Sequence, residues 1–432
     1  MKITLGRLRR WGLRGGLGLL DQGLYSGANF LLGVLLARWL SPASYGGFAA
    51  SYSLFLLLST FQVALIAEPM SIFGADKYRT EVIPYLNYLL RIQWVSVLLG
   101  ALVLGLFSFI LAEGVLRESL IAMVISLPFI FFHWYVRRAF YIEMQSGMAM
   151  VTSLVYSTLL ILILYYAQAA GRLTVTGAYL AMALSSLVAA FCALPRLGIN
   201  FLGMSSGGGN IDRRLVNGEV LNFGKWILPA YLAGWLASLS FPFLVSILLN
   251  PQSAGAYRAM QNLFLPFQQF LAAITLLILP WLAKQRTDHG SGRLFSLTQA
   301  AAAIAGLAAL IYCFLIVVFR NEIVGLLYKN GFYSSFGDLI IFLAISTFLG
   351  SVPLILGLAL RVLDQPDTIL WSKGCAAILT VLVAVPMIRL FQMQGGMLTL
   401  LAGTAVEFLM MLFFYSRSRN LRTGQLENTV TS

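Results

Sequence analysis

The chain has 432 residues, of which 59% are hydrophobic and only 10% charged, and its mean hydropathy is +0.85. A soluble domain carries about a quarter charged residues, so composition excludes a soluble fold and implies a polytopic membrane protein. The three cysteines, Cys192, Cys313 and Cys375, are odd in number and lie in apolar segments, and the histidines are only His133 and His289, which excludes a disulfide framework and metal-ligand spacing.

Met1 to Arg14 holds five basic residues and leads into an apolar segment without a small-residue cleavage site, which reads as a cytoplasmic amphipathic lead-in rather than a removed signal. A membrane span needs about 20 apolar residues, and twelve such segments follow. The first six lie near 17–40, 46–67, 88–112, 118–140, 147–168 and 174–195. The second six lie near 223–249, 255–282, 294–319, 337–361, 369–389 and 396–416. Between them, Ser205–Asn210 is Gly/Ser-rich linker material at the chain's midpoint. The expected organisation is an N-terminal six-helix lobe at 1–195 and a cytoplasmic linker at 196–222. A C-terminal six-helix lobe at 223–416 and a disordered cytoplasmic tail at 417–432 complete it.

With the amino terminus in the cytoplasm, 22 of the 29 Lys and Arg residues fall on the cytoplasmic side. The opposite side holds Arg38, Arg117, Arg172, Arg258, Arg320, Lys329 and Arg389. This asymmetry places both termini in the cytoplasm. It also accounts for most of the +13 net charge without a nucleic-acid partner. Six spans per lobe is an even number, so the two lobes would form a parallel repeat about the membrane normal.

Two echoes support duplication. Leu40-Ser41-Pro42-Ala43-Ser44-Tyr45-Gly46-Gly47-Phe48 returns as Leu249-Asn250-Pro251-Gln252-Ser253-Ala254-Gly255-Ala256-Tyr257, an offset of 209. Proline fixes a turn in both, and Gly46-Gly47 lets a helix begin close to its neighbour. Arg138 and Arg361 end the fourth and tenth spans at an offset of 223.

The turn after the first span, Leu-Ser-Pro-x-x-Tyr-Gly-x-Phe, together with Arg138-Ala139-Phe140 and Ala359–Leu363, resembles the lipid-linked polysaccharide flippases, including those of O-antigen and lipopolysaccharide biosynthesis. These belong to the multidrug/oligosaccharidyl-lipid/polysaccharide (MOP) exporter superfamily, alongside the MATE drug exporters. The resemblance implies an all-α polytopic protein of about 12 helices in two six-helix lobes, with a V-shaped central cavity. It also implies a bacterial inner-membrane flippase that moves a polyprenyl-pyrophosphate-linked oligosaccharide by alternating access. Its partners would be membrane lipid, that cargo, and polysaccharide polymerase or assembly proteins. A cation-coupled drug or small-molecule exporter of the same fold is the alternative, and a non-transporting scaffold of a polysaccharide assembly complex is a third. No Walker sequence, HExxH or carboxylate pair points to an enzyme, so transport would draw on a gradient.

Charges within spans are the candidate site residues, because each is costly in lipid. Arg91, Arg137, Arg138, Lys225, Arg258 and Arg361 either snorkel to the headgroups or form cationic cavity walls; the latter suits phosphate, which arginine grips as a planar fork. In the eighth span Arg258, Gln261, Asn262 and Gln269 recur at helical spacing, with Pro266 among them and Gln268 beside. Tyr52 and Gln62 lie on the matching second span. These residues read either as a sugar-accepting wall or as interhelical glue. Asp21, by resemblance to the MATE exporters, and Glu407, a carboxylate in mid-span, are candidates for coupling H+ or Na+. Glu407 reads equally as a neutral acid bonded to a neighbouring helix. No other cofactor is expected, and His133 reads as a packing residue.

Reporter fusions after Arg38 and Arg320 are expected to report the periplasm, and fusions after Ser206 and Arg419 the cytoplasm. A periplasmic signal at Ser206 contradicts both the span count and the parallel repeat.

Overall fold

The computed structural model describes residues 5–110, 112–203, 211–329, 331–365 and 367–430. Its regular structure there is helical. The helices are α1 (Leu5–Trp39), α2 (Pro42–Gln62), α3 (Glu68–Phe73), α4 (Val82–Ile110), α5 (Gly114–Ile142), α6 (Ser146–Ala169) and α7 (Val175–Ala193). They continue with α8 (Arg213–Gly234), α9 (Phe241–Leu248), α10 (Pro251–Asn262), α11 (Leu265–Val318), α12 (Arg320–Tyr328), α13 (Gly331–Ser334), α14 (Ile340–Val362) and α15 (Asp367–Val430). Among the described residues nine helices are long and apolar enough to cross a membrane, and a tenth forms across a 52° bend between Arg213–Leu239 and Phe241–Leu248. Helix α11 turns at Gly290 (φ 79°) and α15 at Gln392 (φ 52°), so each joins two of the twelve apolar segments.

Two compact units form, Met1–Tyr231 and Leu232–Ser432. The division falls inside the seventh span. The Ser205–Asn210 run lies outside the described residues, but the end of the expected linker is helical and belongs to the first unit. There α8 buries Val216 and Val220 in a core with Tyr85, Leu89, Phe132 and Phe140. Glu219 of α8 pairs with Lys77 and accepts a 2.8 Å hydrogen bond from the Tyr78 hydroxyl. At the other end α15 continues to Val430, where the sequence reading expects a disordered tail.

The first echo is one helix start built twice. Ser41 caps α2 by accepting from the Ser44 amide at 3.2 Å, and Asn250 caps α10 by accepting from the Ser253 amide at 2.8 Å. Pro42 and Pro251 open their helices, where the missing N–H costs nothing. A Cβ on Gly47 would lie 2.6 Å from Ser119 Oγ and 2.8 Å from Val115 Cγ1, so α2 approaches α5 as closely as glycine allows.

The second echo is corrected by its caps. After α5, Gln145 N bonds Phe140 O and Met144 N bonds Tyr141 O, with Met144 left-handed (φ 56°). After α14, Gln365 N bonds Leu360 O and Asp364 N bonds Arg361 O, with Asp364 left-handed (φ 59°). Both are Schellman closures, and they set an offset of 220 rather than 223. In that register Arg361 corresponds to Tyr141, and Arg138 to Leu358. The two arginines are not repeat mates.

The first unit holds its charge inside. Asp21 of α1 is fully buried and accepts from Arg137 Nε at 3.0 and 2.9 Å, with Arg137 Nη2 2.8 Å from Oδ2. The Tyr141 and Ser153 hydroxyls also donate to this carboxylate. Arg137 further donates to Gln22 at 3.0 Å and lies 4.5 Å from the Tyr25 ring centroid. Helices α1, α5 and α6 meet around this pair. His133, one turn before Arg137, is fully buried and stacks on Tyr156 at 5.2 Å, which is packing as expected.

A lone charge in such a site costs far more than the pair contributes. Asp21→Asn is therefore expected to destabilise the protein by about 3–5 kcal/mol, because it strands the Arg137 guanidinium. Thermal unfolding in detergent measures this, and Asp21→Asn combined with Arg137→Met should recover most of the loss. Unchanged stability in Asp21→Asn contradicts a structural ion pair.

Candidate functional site

The eighth span is broken where its polar stripe lies. Pro266 has no N–H to donate back to Asn262, so α10 ends at Asn262 and α11 starts at Leu265. The Tyr312 hydroxyl donates to Leu263 O at 2.7 Å, and the Tyr328 hydroxyl to Ala259 O at 2.7 Å. Two tyrosine hydroxyls thus satisfy carbonyls at the break, and Gln261 and Gln268 lie beside one cavity.

That cavity lies within the second unit and has a volume of about 390 Å³. Gln261, Gln268, Ser346, Thr347, Ser351, Arg361, Lys373, Thr404 and Glu407 are among its lining residues, with Phe264, Leu343, Leu354 and Met411 supplying apolar walls. Ser238, Ser346, Ser351 and Thr404 donate to carbonyls of their own helices at 2.7–2.9 Å. Their protons are spent, so those hydroxyls offer lone pairs. The donors left for a ligand are the cations, the amides and the Thr347 hydroxyl.

Three charged side chains line the cavity: Arg361, Lys373 and Glu407. Arg361 sits in the last turn of α14, where the helix dipole favours a cation, and among the described residues its guanidinium has no hydrogen-bond or ion-pair partner. Lys373 Nζ lies 3.1 Å from Glu407 Oε1, and these side chains are 36% and 22% exposed. Lys373 follows Asp367, the first residue of α15, by about 9 Å of helix rise. Arg361 and Lys373 thus flank the short turn between α14 and α15.

Of the residues singled out from sequence, Gln261, Arg361 and Glu407 come together here. Arg258 stands behind them: its Nη1 donates to Gln261 Oε1 at 2.8 Å, and Arg258 is not part of the lining. That bond occupies the Gln261 carbonyl and leaves its amide donor available. Asn262 is buried and Gln269 exposed, and neither lines the cavity, because they sit one residue round the helix from Gln261 and Gln268.

The remaining candidates lie elsewhere, in the first unit. Arg91 Nε holds Gly203 O at 2.7 Å, beside Trp94 and Phe201. Arg138 Nε donates to Ser71 Oγ at 2.9 Å, and Lys225 Nζ to Asn222 at 3.0 Å. Gln62 donates to Gln93 at 3.2 Å, which donates on to Phe131 O at 2.9 Å, a link between helices. Tyr52 stacks between Phe48 and Phe55 at 5.5 and 5.2 Å. Asp21 is committed to Arg137. Sequence reasoning missed Lys373, whose signal was a cation inside the eleventh span that the topology count absorbed, and it weighed Arg137 only as a snorkelling or cavity cation, not as the partner of Asp21.

No protein-family profile matches the sequence, and no curated protein matches it. Solved structures do. An inward-facing multidrug-resistance transporter of the MATE family superposes with a TM-score of 0.73 at 15% identity, covering 94% of this chain and 96% of that one. A point mutant of the Vibrio cholerae MATE transporter VcmN gives 0.68 at 13% identity, covering 96% and 97%. The lipid II flippase MurJ in an inward closed conformation gives 0.68 at 11% identity, covering 94% and 86%. At such identities the likeness speaks for the fold alone, and this chain has the all-helical fold of these transporter structures.

Proposed function

We propose that the protein is a transporter for an anionic, lipid-linked cargo, and that this cargo is a polyprenyl-pyrophosphate-linked oligosaccharide. It would be flipped across the bacterial inner membrane by alternating access, for synthesis of O-antigen or a related polysaccharide, with both termini in the cytoplasm. The reading rests on one observation above all: two cations and one carboxylate line the cavity of the second unit, and Arg361 among them has no partner within the described residues. A pyrophosphate crossing a low-dielectric interior without compensating charge would be prohibitively costly. Arg361 and Lys373 supply that charge, the Gln261 and Gln268 amides supply neutral donors, and the lone pairs of the lining hydroxyls suit sugar hydroxyls. The likeness to a lipid II flippase is in keeping with this cargo class.

A second reading, a cation-coupled exporter of small molecules, draws on the MATE likeness and on Glu407, whose carboxylate faces the same cavity. In that reading Glu407 would carry the proton or sodium coupling.

The two readings separate by charge. Each charge-assisted hydrogen bond to phosphate is worth roughly 1.5–3 kcal/mol, so Arg361→Gln and Lys373→Gln should each weaken cargo binding about tenfold to a hundredfold. In a flippase-deficient strain both variants are expected to insert normally and to lose export of lipid-linked sugar, while Lys225→Gln keeps it. Full export by both Gln variants contradicts the anionic-cargo reading and favours the exporter.

A further inference from the structure

Glu407 is the one carboxylate in a cavity whose other charged lining residues are the cations Arg361 and Lys373. Its carboxylate meets Lys373 at 3.1 Å, and no other ion pair or hydrogen bond holds it among the described residues. This contrasts with Asp21, which is fully buried and takes donors from Arg137, Tyr141 and Ser153. The Lys373–Glu407 pair is single-contact and part-exposed, and it lines the same cavity as Arg361, which has no partner among the described residues. A pair of that kind exchanges partners at low cost, whereas the Asp21 pair does not.

The position of Lys373 adds to this. A Cβ on Gly234 would lie 3.8 Å from both Cδ and Nζ of Lys373, so the lysine stem packs along a bare stretch of backbone just before the π-helical turn Trp235–Leu239. The stem is held by this packing, while its ammonium has three donors and meets Glu407 in the 3.1 Å ion pair. The ammonium can turn from the carboxylate to a second anion without moving its helix.

We propose that Glu407 is a resident counter-anion: it occupies Lys373 while the cavity is empty, and the pyrophosphate of the cargo displaces it and takes Lys373 together with Arg361. This extends the anionic-cargo reading, on which it rests, by assigning Glu407 a role in selectivity and release. An anion that cannot bridge Arg361 and Lys373 fails to outcompete the carboxylate, and a bound pyrophosphate is expelled when Glu407 returns. Glu407 is thus a positioning residue, acting on the cargo through Lys373.

The test uses the full chain in lipid nanodiscs and inorganic pyrophosphate as the probe, read by calorimetric titration. Glu407→Gln is expected to tighten pyrophosphate about tenfold, since the competing charge is gone while the shape is kept. Glu407→Asp, which retracts the carboxylate by one methylene, should tighten it by a smaller factor. The decisive arm is the cycle: in a Lys373→Gln background the Glu407→Gln change should tighten pyrophosphate by a clearly smaller factor than in the wild type, because the part of the gain that comes from freeing that lysine is gone and only relief of direct repulsion remains. Tightening of undiminished size without Lys373 would mean only a general field effect, and unchanged or weaker binding in Glu407→Gln would mean a coupling or structural carboxylate. Either result overturns the proposal. Arg361→Gln serves as the separate check on the underlying reading: if wild-type protein binds pyrophosphate and Arg361→Gln weakens it, the anion site stands whatever Glu407 does. If wild-type protein binds no pyrophosphate, or Arg361→Gln binds as wild type, the anionic-cargo reading fails and this inference with it.

Discussion

A charge inside a bundle of apolar helices has to find an opposite charge, a set of donors or water, and this constraint arranges the polar residues of both units. In the first unit Asp21 and Arg137 meet each other, with hydroxyls and an amide filling the remaining sites, and three helices close around them. The charge is neutralised there and contributes architecture. In the second unit the same requirement is met by a cavity. Arg361, Lys373 and Glu407 sit on its wall, Lys373 and Glu407 as a part-exposed pair at 3.1 Å and Arg361 with no partner among the described residues. Two units with matching helix starts have resolved one physical problem in two ways, and the solution in the second leaves chemistry available.

The helices themselves were legible because their signals are local. Apolar segments long enough to span a bilayer are contiguous in sequence, and the Ser41-Pro42 and Asn250-Pro251 starts carry their caps and prolines within four residues of chain. The break in the eighth span also had a local cause in Pro266. Register between the repeats was less legible. Arg138 and Arg361 are both arginines near a helix end, but residue identity does not set register; the Schellman closures at Met144 and Asp364 do, and they differ from the arginine spacing by three residues.

The site was legible only in part, because partners come from distant segments. Asp21 and Arg137 lie 116 residues apart, and nothing near Asp21 announces that its carboxylate is taken. Lys373 looked like one more cation of the positive-inside pattern, since its depth within the helix matters only once Glu407 is seen across from it. Arg258 stood out for the opposite reason. It begins the polar stripe, yet it acts on the cavity through Gln261 rather than facing it. The stripe itself splits by one residue of helix rotation, Gln261 and Gln268 toward the cavity and Asn262 and Gln269 away from it. Arg91, Arg138 and Lys225 illustrate how often a span-end cation is bound to a neighbouring carbonyl, hydroxyl or amide.

The central claim is that the cavity of the second unit receives a phosphate-bearing headgroup. A structure of the protein in nanodiscs with a polyprenyl pyrophosphate bound tests it most directly. The account predicts phosphate oxygens within hydrogen-bond distance of Arg361 and Lys373, with the Lys373–Glu407 contact opened. A bound headgroup away from both cations, with that contact intact, would contradict it.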